Sequence, residues 1–373
     1  MAKTIFISTG EASGDLHAAN LVKNFNRITD EKVTYFGMGG KLMQAAGVNI
    51  IMPFDQLSII GITGIITKLP QILRNFYGIK KFLRQNQPDL VILVDYPGFN
   101  LRLAKTAKKL GLKVLYYISP QLWAWHQSRV KIIQRYVDRI AVFFPFEVDF
   151  YRQFNVSAML VRHPLLDTVK ATMTKNAAQQ ALHLKPTITI GLLPGSRHCE
   201  IKALMPCLNA TIHLLKNYNN QWQFVVPLAA TLNPSDIEPY LSPEHQVHII
   251  PSSYEVMQAC DVMIACSGTV TLEVTLLAIP MVIVYRVSLL NYWLGKLLIK
   301  VPYLGLCNMI AQEQVAVELL QQHATPSKIA AEVIKILENK EYRQAMLTKF
   351  AMLKHQLAQA HKNIAEVVKE ILI

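Results

Sequence analysis

At 373 residues the chain is long enough for two domains, each with its own core. It is 51% hydrophobic and only 17% charged, with a net charge of +13, a pI near 9.4 and a mean hydropathy of +0.24. Its greasiest stretch, Leu57–Thr67, stops at Lys68 and Pro70, short of the ~20 apolar residues that span a bilayer. RNA-binding signatures and a dense basic tract are missing, which argues against nucleic acid.

From the N-terminus, strand-like runs alternate with helical ones. Thr4–Ser8 begins almost at once, so no signal peptide is expected. Val33–Gly37, Leu90–Val94, Val114–Ile118 and Ile140–Phe144 follow, with helical patterns at Asp15–Asn26 and Leu101–Leu110. A break at His163–Pro186 marks the expected interdomain boundary. Beyond it come Ile188–Leu193, Gln223–Val226, Val247–Ile250, Val262–Ala265 and Met281–Val284, with helices at Ile201–Lys216 and Val270–Leu277. The strand runs are apolar throughout, as strands buried on both faces should be. Such alternation predicts an α/β protein with parallel sheets and two Rossmann-like domains facing a cleft, in which ligands bind at the C-terminal strand ends. After about Pro326 only helices are expected. The domains are drawn as 1–170, 171–340 and a helical tail over 341–373.

Basic residues sit among apolar ones. Lys68, Arg74, Lys80, Lys81 and Arg84 share one helix-like stretch, and Arg286, Lys296 and Lys300 surround Tyr292 and Trp293. That mixture suits an anionic membrane surface; solvated helix faces on a basic soluble protein are the alternative. Five cysteines without a CxxC pair fit a reducing cytoplasm rather than a disulfide framework. No HxxxH or HxH pair occurs among eleven histidines, so neither a metal nor a cofactor is implied.

The most informative segment is Ser267-Gly268-Thr269, where an apolar run turns into a helix. Backbone N–H groups at such a turn suit a phosphate. Glu273, one turn on, can accept hydrogen bonds from ribose hydroxyls; a capped helix with an exposed Glu is the plain alternative. Pro194-Gly195-Ser196-Arg197 ends the first strand of the second domain, and Arg197 can clasp a diphosphate in two-pronged fashion. In the first domain, Gly10-Glu11-Ala12-Ser13-Gly14-Asp15 lacks GxGxxG and the Walker Lys. Its two acids favour sugar hydroxyls over phosphate, with a turn N-capped by Ser13 or Asp15 as the alternative. Asp95 closes the run Leu90–Val94 and points a carboxylate at the mouth, where a general base belongs; capping of the helix near Pro97 would explain it too. Ser119–His126, with Trp123, Trp125 and His126, is either an acceptor-side wall or packing, and burial tendencies favour packing.

Gly10–Asp15, Asp95–Asn100, Ser119–Arg129, Pro194–Glu200, Ser267–Glu273, Tyr285-Arg286 and Glu318–Gln321 stand in the order and spacing of the lipid-A-disaccharide synthase family, which the chain resembles over almost its whole length. The resemblance implies an inverting GT-B glycosyltransferase. Its substrates would be UDP-2,3-diacylglucosamine and 2,3-diacylglucosamine 1-phosphate, and its products UDP and a β-1,6-linked tetraacyl disaccharide 1-phosphate. By the same resemblance Asp95 is the general base, and Ser196, Arg197, Ser267, Gly268, Thr269, Glu273 and Asn308 form the donor site. Ser13, Gly14 and Asp15 face the acceptor. Location at the cytoplasmic face of the inner membrane follows, and a homodimer is left open. By the same analogy the C-terminal helices either pack back on the first domain or exchange between subunits. Arg162, Cys307 and Gln312 depart from the family's usual Gly, Pro and Gly. A soluble UDP-sugar epimerase, and a GT-B enzyme with another lipid-linked acceptor, are the rival readings.

Overall fold

A computed structural model describes residues 3–53, 61–123, 127–287 and 302–372, with 61–69 described by backbone alone. The chain divides into two compact units, Met1–Pro164 with Gln359–Ile373, and Leu165–Ala358.

The first unit is a seven-stranded sheet built from β1 (Lys3–Ser8), β2 (Val33–Gly39), β3 (Val48–Pro53), β4 (Leu90–Val94), β5 (Val114–Tyr117), β6 (Arg139–Val142) and β7 (Ala158–Leu160). Its spatial order is β3-β2-β1-β4-β5-β6-β7, with every pairing parallel. The central strands are buried on both faces, which is why β4 and β5 read as unbroken apolar runs. The second unit repeats the plan with β8 (Thr189–Leu193), β9 (Gln223–Leu228), β10 (His248–Pro251), β11 (Val262–Cys266), β12 (Met281–Tyr285) and β13 (Glu318–Leu320), in the order β10-β9-β8-β11-β12-β13. These six strands are also parallel. In each sheet the winding reverses beside the first strand, at β1/β4 and at β8/β11. A crevice opens outside the strand ends at such a switch point, because successive connections leave in opposite directions.

Strands β3, β7 and β13 were not among the expected runs. All three are sheet edges, and none is buried along its whole length. The long helix Gly61–Asn86 carries Pro70 inside it and buries Asn75, Ile79 and Leu83 while exposing Leu73 and Tyr77. Among the described residues no helix is long and apolar enough to cross a membrane. Of the basic cluster expected around Tyr292 and Trp293, Arg286 is described and half-buried, while Lys296, Lys300 and the two aromatics lie outside the described residues.

The expected 341–373 tail does not stay together. Helix Lys340–Ala358 packs on the second unit, against helices Val270–Leu276, Leu306–Ala311 and Pro326–Glu338. Only the last segment returns to the first unit. There helix Ile364–Leu372 lies on helix Ala12–Ile28, Lys369 Nζ donates to Ile28 O at 3.0 Å and Arg162 N to Lys362 O at 2.9 Å.

Candidate active site

Both switch points carry the residues singled out above. In the first unit, β1 leads into Gly10–Asp15 and β4 into Asp95. Asp95 and Tyr96 both adopt left-handed backbone, with φ of 46° and 49°, a conformation non-glycine residues hold only when their surroundings impose it. Asn100 imposes it here. Fully buried, it donates from Nδ2 to Asp95 O (2.8 Å), Val94 O (3.2 Å) and Ser8 O (3.3 Å), and accepts from Ser8 Oγ (2.7 Å). Tyr116 of β5 adds a second hydrogen bond to Asp95 O, at 2.7 Å. The Tyr96 ring lies flat on Gly10, where a Cβ would fall 2.4 Å from it, so the β1 and β4 ends close together only over glycine. Tyr96, not Asp95, is the N-cap of helix Pro97–Lys109, and the capping alternative for Asp95 is not realised. Its half-buried carboxyl is pushed up to about 6 by burial and then by the nearby Glu11 charge, against a backbone hydrogen bond from Tyr96.

The Gly10–Asp15 loop divides. Ser13 is exposed at the mouth. Gly14 is buried with its Cα hard against Thr9 Oγ1. Asp15, expected to face the acceptor, is 3% exposed, and its carboxylate is taken by Gly40 N (2.8 Å), Leu42 N (3.0 Å) and Met43 N (3.2 Å). It caps helix Lys41–Ala45 from across the unit, a correction to the acceptor-side assignment, since a carboxylate carrying three N–H donors in the interior has little left for a ligand.

Trp123 meets Phe146 edge-on at 5.2 Å, the packing outcome; Trp125 and His126 lie outside the described residues. His163 sits over Phe143 and Phe144, with ring centroids 4.4 and 5.7 Å away. Burial and the neighbouring His17 lower it to about 3, so it is a neutral packing imidazole.

In the second unit the β8 end is shaped by Glu200. Its Oε2 accepts Ser196 N (2.9 Å) and Arg197 N (3.2 Å), and its Oε1 the Arg197 guanidinium (3.2 Å). Gly195, at φ 116°, lies so close to Glu200 that a Cβ would meet its carboxylate at 2.3 Å. Arg197 starts helix His198–Tyr218 with its side chain 75% exposed, so the guanidinium is anchored on one side and open on the other. At the β11 end Ser267 Oγ donates to Leu304 O at 2.8 Å. Gly268 and Thr269 are exposed, with open space beside the Gly268 Cα. Glu273 is half-buried in the first turn of helix Val270–Leu276; burial raises its carboxyl, and no hydrogen bond or ion pair to it is found among the described residues.

Asn308, expected in the donor site, is wholly buried. Its Nδ2 donates to Ala316 O (2.7 Å) and Glu318 Oε1 (2.8 Å), and its Oδ1 accepts Val315 N (2.8 Å) and Ala316 N (2.9 Å). With its amide fully engaged it braces the loop rather than touching a ligand. Through Glu318 it fixes Leu304 N and Gly305 N, and Leu304 in turn holds Ser267. Four residues along, Gln312 ends the same helix with φ 55°, the left-handed C-terminal position where glycine is favoured.

Two parallel sheets of this winding, each with polar residues at its switch point, define a GT-B type of fold. Solved structures agree on the fold alone. A UDP-GlcNAc 2-epimerase from Neisseria meningitidis bound to UDP-GlcNAc superposes with a TM-score of 0.61 at 12% identity, over 96% of this chain and 100% of that one. A glycosyltransferase of kitacinnamycin superposes at 0.62 and 13%, over 100% of both. Sequence is more specific. The lipid-A-disaccharide synthetase family model matches residues 5–372. A lipid-A-disaccharide synthase of Nitrosococcus oceani is 47% identical over 100% of this chain and 97% of its own. Those of Geobacter metallireducens and Coxiella burnetii are each 42% identical over 99% of this chain, and over 97% and 99% of their own lengths. The chain belongs to the lipid-A-disaccharide synthase family and is a glycosyltransferase of lipid A biosynthesis; its likeness to epimerases is one of fold.

Proposed function

We propose that the chain transfers the sugar of UDP-2,3-diacylglucosamine to the 6-hydroxyl of 2,3-diacylglucosamine 1-phosphate, with inversion. The observation that carries this reading is the half-buried Asp95 at the first switch point, its proton affinity raised towards neutrality. A carboxylate with a pKa near 6 is ionised at neutral pH, yet basic enough to draw a proton from a hydroxyl as that hydroxyl attacks. The acceptor oxygen forms a bond to the anomeric carbon while its proton passes to Asp95. The bond from that carbon to the diphosphate oxygen breaks, and its electron pair leaves with UDP.

Charge grows on the departing diphosphate in a transition state with oxocarbenium character. Donors already in place for that charge lower the barrier without reorganising. The exposed Arg197 guanidinium, Ser196 and the N–H groups of the Ser267–Thr269 turn are suited to that task. Glu273, whose carboxylate lacks a partner among the described residues, is suited to the ribose hydroxyls. Asn308 and Glu318 act one layer behind, by holding the loop on which Ser267 leans. Ser13 is left as the exposed polar group of the acceptor side. A basic and apolar surface would bring the enzyme to lipid at the inner face of the inner membrane. The exposed Leu73 and Tyr77, one helical turn apart near Arg74 and Lys81, are consistent with that.

Purified protein in mixed micelles, given the UDP-diacylglucosamine with and without the acceptor lipid, tests the proposal. UDP release that depends on the acceptor, together with a tetraacyl disaccharide phosphate, is the expected result. A folded protein that binds UDP but joins neither lipid would redirect the search to another acceptor.

A further inference from the structure

Thr271 has no role in the transfer described above. It stands in the first turn of helix Val270–Leu276, wholly buried, directly behind the turn that ends β11. Its Oγ1 donates to Gly268 O at 2.8 Å and accepts Leu306 N at 3.1 Å. Its own N also donates to Gly268 O, at 3.1 Å. Bonding back to a carbonyl one turn earlier is ordinary for a helical threonine, and Thr106 and Thr348 do the same. The bond from Leu306 sets Thr271 apart, because it ties the helix to a segment 35 residues further on.

That segment is itself fixed. Leu304 N and Gly305 N donate to the Glu318 carboxylate, at 2.9 Å each, and Leu304 O accepts Ser267 Oγ at 2.8 Å. Two bonds of opposite sense therefore bracket the turn, from Ser267 to Leu304 and from Leu306 to Thr271. The bracket decides which way the peptide between Gly268 and Thr269 faces. A trans peptide carries its C=O and its N–H on opposite sides. With Gly268 O held inward by Thr271, the Thr269 N–H is turned away from the helix. Ser267 N is taken by Val284 O at 3.1 Å. Gly268 N and Thr269 N donate to nothing among the described residues, and both residues are exposed.

We propose that Thr271 is a positioning residue for the transfer: it pins Gly268 O inward, locks the turn to the Leu304–Leu306 loop, and so presents the Thr269 N–H to the diphosphate of the donor. A donor group stabilises developing charge best when it is aimed before the reaction begins. The place calls for a hydroxyl, since one buried atom must both give a hydrogen bond and take one. A methyl in its stead would leave Leu306 N without that acceptor. The proposal rests on the reading of the Ser267–Thr269 turn as the diphosphate site.

Thr271→Val is the test, since it keeps the shape and removes both side-chain bonds. The inhibition constant of UDP should rise by about tenfold, the scale of one weakened hydrogen bond to a charged group. That of uridine, which has no diphosphate, and the KM for the acceptor lipid should stay as they are. Thr271→Ser keeps Oγ and should restore inhibition by UDP. A folded Thr271→Val inhibited by UDP like the wild type overturns the proposal, as does one that loses UDP and uridine equally, the result of a role confined to packing. Should that variant not fold, Leu306→Pro replaces it. Proline suits the first position of a helix, after an extended residue such as Gly305 (φ −74°, ψ 132°), and it removes the N–H that Thr271 accepts. It too should lose UDP and keep uridine; undiminished inhibition by UDP counts against Thr271. Hydrogen–deuterium exchange separates this role from the reading beneath it. UDP should slow exchange at the Ser267–Thr269 turn of the wild type. Binding without slowing puts the diphosphate elsewhere and ends both, whereas slowing there together with a Thr271→Val of unchanged UDP affinity ends only the role of Thr271.

Discussion

Asp95 sits on a backbone that no isolated peptide would choose, and four residues share the work of keeping it there. Ser8, Asn100 and Tyr116 hold its carbonyl and its strand, and Gly10 yields space to Tyr96. The carboxyl is costly to keep charged. Its folded-state pKa is about 6 against 3.8 for an unperturbed aspartate, so the folded protein binds the proton more tightly than the unfolded one. Stability is therefore lost as pH rises through that window, by up to about 3 kcal/mol at neutrality. Asp95→Asn should thus unfold at a higher temperature than the wild type at pH 7.5 while turnover falls by about 10³-fold. Scanning calorimetry and the micelle assay read the two effects, and a variant that is both slower and less stable contradicts this account. In the wild type, kcat/KM should rise with pH through about 6, because the base must be ionised. Arg197 is a contrasting case. Its side chain is mostly in solvent, so Arg197→Ala should leave the melting temperature unmoved yet weaken UDP binding by about tenfold or more, the scale of a lost charge-assisted contact; calorimetric titration with UDP measures it. Asp95 could be read from sequence because a carboxylate ended an apolar run. Asn100 and Ser8 could not be linked in that way, because their bonds join positions 92 apart. Asp15 misled because its partners lie 25 to 28 residues downstream.

Among the elements, the central strands announced themselves because burial on both faces leaves only apolar side chains in them. The edges β3, β7 and β13 are short and part-exposed, and their composition does not separate them from loops. Expected ends also overran. Ile118, counted in β5, has φ 63°, and a β-branched residue there marks a forced turn rather than more strand. The loop around Leu306–Ala311 shows how an element can matter without touching a ligand. Asn308 and Glu318 tie its backbone, and Ser267 rests on that tie. Gln312 then ends the helix in the conformation glycine prefers. Gln312→Gly should stabilise the protein by about 0.5 to 1 kcal/mol by relieving left-handed strain, with part of the gain returned as unfolded-chain entropy. Urea denaturation decides it, and a loss of stability would mean that the Gln312 side chain makes contacts worth more than the strain.

At the scale of the molecule, a net charge of +13 and an exposed apolar-basic helix face set an expectation about surfaces. The protein should float with vesicles containing anionic phosphatidylglycerol at low ionic strength and less so at 0.5 M salt, since only the electrostatic share of such binding is screened. Flotation that ignores both lipid charge and salt would refute the electrostatic part. The two-sheet plan was legible from the alternation of runs; the compact units divide at Pro164/Leu165, whereas the domains were drawn at 170/171. The split of the C-terminal helices was not legible, because helices Lys340–Ala358 and Ile364–Leu372 differ in destination, not in any local pattern.

That return of the last helix sets an order on synthesis. The face of helix Ala12–Ile28 that receives Ile364–Leu372 leaves the ribosome early, and its cover follows only after the rest of the first sheet and the whole of the other unit. At about 5 to 20 residues per second the roughly 335 residues between the two helices keep that apolar face open for about 17 to 67 s. A growing polypeptide in this state is a natural client for a chaperone at the exit tunnel, and the emergence of Ile364–Leu372, rather than the completion of either sheet, is the event that seals the first unit.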